Sequence, residues 1–139
     1  MPQQTATALK KSYDETLALM VEARNYLAYR VPHEVRVLPD KANLTASCEL
    51  FRLTSRLIQV MAWLMAQRAV HAGEMDVEEA CSERFRLSGG SACLDDSVAN
   101  DDSLPNGLLS LLERSLKLYE RISRLDAMAA HRSTLGRLT

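Results

Sequence analysis

Read as a helix, the stretch from Phe51 to Met75 leaves little freedom in the fold. At about 100° per residue, Leu50, Leu53, Leu57, Val60, Met61, Leu64 and Met65, with Ile58 and Phe51 at the margin, cover roughly half of the circumference. A face that wide suits a helix touching two neighbours, so this segment belongs at the centre of a bundle. The remaining strip carries Arg52, Ser55, Arg56, Gln59 and Gln67, and Trp63 falls inside it, one turn from each glutamine. Either another segment covers that strip, or the strip is a docking surface.

Length limits the bundle to a single domain, residues 1–139, with one core. Aromatic residues make up only 5% of the chain and there are five glycines, whereas Leu, Ala, Arg and Glu abound, which favours helix over strand. The expected fold class is all-α. A net charge of −1 gives no global pull toward nucleic acid or an anionic membrane. No run approaches the ~18 apolar residues of a membrane span. Lys10 and Lys11 interrupt any N-terminal apolar run, so a cytoplasmic protein is expected. Cys48, Cys81 and Cys93 form neither an even framework nor a close pair, as reduced thiols would.

Three long helices are expected, over residues 5–31, 40–73 and 103–131. The first has Leu9, Tyr13, Leu17, Met20 and Leu27 on one side, Thr5 or Thr7 as a cap, and Pro32 as a stop after Val31. Asp40 can cap the second, and Gly73 can end it in a left-handed conformation. Ser103, Leu104 and Pro105 open the third, whose apolar face includes Leu108, Leu112, Tyr119 and Ile122. Between them, Asp76 to Glu79 has capping-box spacing for a short helix reaching Leu87, and Ser88 to Ser91 breaks regular structure. The irregular insert at 88–102 is long enough to cross the bundle and cover Trp63.

No residue stands out as catalytic, and no cofactor or metal is expected. His71, Glu74 and Cys81 lack an established ligand spacing, and Cys93 has no His and carboxylate placed to activate it. A small metal or thiol sensor built on the first three is nevertheless a rival function, as is a helical homodimeric scaffold. Arg114, Arg121 and Arg124 are interleaved with Glu113 and Glu120, which breaks any basic stripe for nucleic acid. Two ions intrude on apolar faces, Arg68 and Asp126, and antiparallel packing would pair Asp126 with Lys41 or Arg30.

The run from Phe51 to Val60, then Trp63-Leu64, Gln67 to Val70 and Gly73 to Met75, resembles the signature of the RcdA family of alphaproteobacteria. In the third helix Leu112 to Leu116, Leu118 to Ile122 and Arg124 to Asp126 resemble its second block, in the same order. That resemblance implies a homodimeric, non-enzymatic proteolysis adaptor. It would link cargo, such as the cell-cycle transcription factor CtrA, or co-adaptors to the ClpXP protease machinery. Partner binding, to a protein and not to nucleic acid or membrane, is expected at Arg52, Arg56, Gln59, Trp63 and Gln67.

Overall fold

The computed structural model describes residues 2–30, 33, 38–87, 93–98 and 101–138, with side chains described from Ala6 to Gly136 within those ranges. All regular structure among the described residues is helical, with no strand among them. Helix α1 (Pro2–Asn25) passes into a single π turn at Tyr26–Arg30; α2 (Asp40–His71), the short α3 (Val77–Ala80) and α4 (Asn106–Leu138) follow.

Local chemistry sets most of the ends. Gly73 takes φ +77°, and the Glu74 amide donates to the Ala69 carbonyl at 2.8 Å while the Gly73 amide donates to Val70 at 3.1 Å, the paired bonds of a glycine stop. Pro39 precedes α2, so Asp40 lies in its first turn and does not cap it through its side chain. Asp76 does precede α3, again without a side-chain cap. Helix α4 starts three residues later than expected: the Ser103 amide donates to Asp101 Oδ1 at 2.9 Å, folding that hydroxyl residue into a turn ahead of the helix. Thr5 and Thr7 lie inside α1. The stop after Val31 and the break at Ser88 to Ser91 fall outside the described residues.

The core residues recur at alternating steps of three and four. On α1 they are Leu9, Ser12, Thr16, Leu19 and Ala23, continued by Tyr26 of the π turn, all buried. Leu17 and Leu27, expected on that face, are 45% and 39% exposed. Leu53, Val60 and Leu64 of α2 and Leu108, Leu111, Leu118 and Ile122 of α4 complete the centre, each burial stabilising by about 1.5–3 kcal/mol. Gly107 lets the helices close at one end, because a Cβ there would stand 2.8 Å from Cε2 of Tyr26.

Cross-helix contacts reveal the direction of each rod. Glu22 meets Arg114 and Glu15 meets Arg121, so α1 and α4 are antiparallel. The Arg68 guanidinium lies 4.5 Å from the Tyr13 ring centroid while Leu27 shares a hollow with Leu50, so α1 and α2 are antiparallel too. Helices α2 and α4 must then run parallel, and their contacts agree: Arg56 reaches Leu112 and Ser115, and Trp63 reaches Asp126. Parallel neighbours cannot be joined by a tight turn. The chain between His71 and Asn106 therefore travels back along the bundle, which accounts for its length.

Candidate functional site: two flanks of the central helix

The returning crossover lies over the strip that carries Trp63. Arg56, 1% exposed, is its main fastener: Nε donates to the Cys93 carbonyl (2.6 Å) and Nη2 to the Asp95 carbonyl (2.6 Å). Its Nη1 donates to the Leu112 carbonyl (3.0 Å) and Ser115 Oγ (3.3 Å) of α4. Guanidinium suits this task because its donors form a fixed fork and its charge survives burial. Desolvation, and after it the charge of Arg52, lower its pKa from the ordinary arginine value, yet it remains a cation.

Trp63 is the second fastener and is 4% exposed. Its Nε1 donates to Asp126 Oδ1 at 2.9 Å, and Arg86 Nε donates to Oδ2 of the same carboxylate at 2.8 Å. An aspartate of α4 thus ties α2 to the segment after α3. Asp126 lies on the apolar face as expected but is buried there instead of reaching solvent from its place near a helix end, and its partners are Arg86 and Trp63 instead of Lys41 or Arg30, because α4 runs parallel to α2. Between the fasteners Cys93 is buried near Tyr119, whose phenol is pushed up to about 12, first by desolvation and then by that thiol.

Of the other expected contact residues, Arg52, Gln59 and Gln67 are half-buried. Arg52 pairs with Glu49 and lies 3.4 Å from Asp95 Oδ2. Gln67 lines a hollow of about 440 Å³ with Cys81 and Ala129. Arg56 and Trp63 do not face solvent in this fold; their burial corrects the picture of an open strip. His71 and Glu74 are exposed, and the Cys81 thiol faces the Ala129 carbonyl at 3.7 Å. Among the described residues no group of three or more His, Cys, Asp or Glu is arranged to hold a metal ion. No described helix is long and apolar enough to cross a membrane.

The opposite flank of α2 is open. Leu44, Phe51, Ile58 and Met65 are 68%, 76%, 55% and 59% exposed and recur every seventh residue. Cys48, Ser55 and Ala62, also exposed, fill the intermediate positions. Large and small residues alternate over a seam of about 30 Å, at 1.5 Å rise per residue. Sequence reasoning missed it because it placed Met65 on the buried face and Phe51 and Ile58 at its margin; the seven-residue spacing was the available signal.

A protein family described as "Protein of unknown function (DUF1465)" matches residues 1–136. The solved structure of RcdA from Caulobacter crescentus CB15 is 37% identical, with a TM-score of 0.71 over 87% of this chain and 89% of that chain. The chain belongs to the RcdA family. No curated protein matches it. RcdA-like residues of the first block divide between the two flanks: Arg56 and Trp63 under the crossover, Phe51 and Ile58 on the open seam. In the second RcdA-like block, Ser115 and Asp126 receive the fasteners, and Leu118 and Ile122 fill the core.

Proposed function

We propose that this chain is a non-enzymatic, homodimeric adaptor that links cargo proteins, such as a cell-cycle transcription regulator, to the ClpXP protease in the cytoplasm. The carrying observation is 37% identity to RcdA across nearly the whole of both chains. The physical logic is effective concentration: weak contacts to cargo and to the unfoldase become productive when one folded body holds both. Residues 1–139 act as one domain in this reading.

The open seam of α2 supports the dimer. Its size order, Leu44, Cys48, Phe51, Ser55, Ile58, Ala62, Met65, is nearly palindromic about Ser55, as an isologous contact between two copies requires. Large residues of one copy would enter the gaps above small residues of the other. Arg52, Arg56, Gln59, Trp63 and Gln67 enter the proposal through the crossover. Arg56 and Trp63 hold it in place, and the three half-buried residues border the surface a partner would meet.

Reconstituted degradation tests the adaptor role. Purified ClpXP, a CtrA-type cargo and the activated co-adaptors are combined with and without this protein. Saturable acceleration of cargo loss, with the adaptor itself surviving, is expected. An unchanged rate across the titration, with no retention of the ClpX unfoldase on immobilised protein, would overturn the reading.

A further inference from the structure

One carboxylate lacks a donor. Glu49, on the inner flank of α2, is 4% exposed, and its Oε1 pairs with Arg52. Its Oε2 is buried and has no hydrogen-bond partner among the described residues. The neighbouring Arg56 does not supply one, since its donors are directed to three carbonyls and Ser115. Oxygens of buried carboxylates ordinarily have a partner, so the vacancy points to a donor from elsewhere.

Glu49 lines a groove of about 610 Å³ between α2, the crossover at residues 95–98 and the first half of α4. Asp95, Asp96, Glu113 and Glu120 also line it, five carboxylates in all against the lining cations Arg56 and Lys117 and the adjoining Arg52, which is shared by Glu49 and Asp95. Lys117 is spent on Glu113 at 3.0 Å. Val98, Leu109 and Leu116 add apolar floor between the charges. The lining residues of α4 extend from Asn106 to Glu120, about 20 Å of helix at 1.5 Å per residue, the length of some six extended residues.

We propose that this groove docks an extended, lysine-bearing segment of a partner protein, with one lysine ammonium against Glu49 and the crossover aspartates. Lysine is favoured over arginine because Arg52 already occupies Oε1. The guanidinium fork needs two free coplanar oxygens, whereas an ammonium is a compact point charge that one oxygen can meet. A protein segment is favoured over a free polyamine because the apolar floor offers contacts to side chains between the lysines. The binding is independent of the protease reading and can be measured without it.

The test uses the full chain at 0.15 M salt and a fluorescent, acetylated hexapeptide carrying two lysines separated by alanine and leucine. Saturable binding is expected, weakened about tenfold by Glu49→Gln, the loss of one charge-assisted bond. The pair Asp96→Asn with Glu120→Gln, both at the groove rim, should weaken it similarly. It also carries the test if Glu49→Gln fails to fold, as monitored by Trp63 fluorescence. Glu78→Gln with Glu79→Gln, on α3 away from the groove, should change nothing. The proposal is overturned by absence of binding, by equal loss in the α3 pair, or by a folded Glu49→Gln that binds normally. Equal affinity for the arginine version would also overturn it, as would displacement by spermidine at matched charge, which would mark a polyamine site.

Discussion

On one flank of α2, Glu49, Arg56 and Trp63 are at most 4% exposed, while on the opposite flank Phe51, Ile58 and Met65 are more than half exposed. Residue type alone would have assigned the two flanks the other way round. The polar flank is inside because the crossover brings backbone carbonyls of Cys93 and Asp95 onto it, and buried carbonyls need donors. Arginine and tryptophan provide donors together with long apolar bodies. The apolar flank is outside because no described segment of the chain covers it; Leu27 only borders it at Phe51. Burial on α2 is therefore decided by what lies opposite, and hydropathy ranks second.

Substitutions can break this contrast from either side. The largest effect is expected from Trp63→Ala, which removes a buried indole and leaves Asp126 with Arg86 alone. A loss of about 3–5 kcal/mol in urea denaturation follows, with no direct effect on association. Full stability with lost association would return Trp63 to an interface. Arg56→Met keeps most of the volume but removes the donor of the Cys93 and Asp95 carbonyls, costing on the order of 2–4 kcal/mol. If the crossover is a separate layer, amide exchange in residues 93–98 should speed up more than in α1.

Gly107→Ala forces Tyr26 aside and should cost about 1–3 kcal/mol, read as a lowered melting temperature. On the open flank, Phe51→Glu with Ile58→Glu should alter the stability of the isolated chain by only about 0.5 kcal/mol, as for surface sites. The same pair should halve the mass found by light scattering if the seam joins two copies, and alkylation of Cys48 should accelerate. An unaltered mass would remove the seam from the dimer.

Acid should have the smallest effect. The Asp95 carboxyl is held below the usual range, first by the Ser97 amide and hydroxyl and then by Arg52 and Arg56. Glu22 is lowered chiefly by its hydrogen bond from Arg114. Groups with depressed folded pKa values contribute fully above their unfolded values and lose that contribution as pH falls through the folded ones. Thermal stability should be flat from pH 7 to about 5 and decline below about 4.

The sequence by itself determined the rods. Three-four periodicity and Gly73 at the end of α2 are local facts, legible because helix formation and capping depend on near neighbours. It also marked Trp63 and Asp126 as residues needing an explanation, without pairing them. The tertiary structure alone decided that α2 and α4 run parallel, and with that the crossover's path, the burial of Arg56 and Trp63, the Asp126–Arg86 contact and the groove around Glu49. Those features depend on which rods lie side by side and in which direction. Periodicity within one helix carries no such information: a face buried by a neighbour and a face left for another molecule have the same pattern until the packing is known.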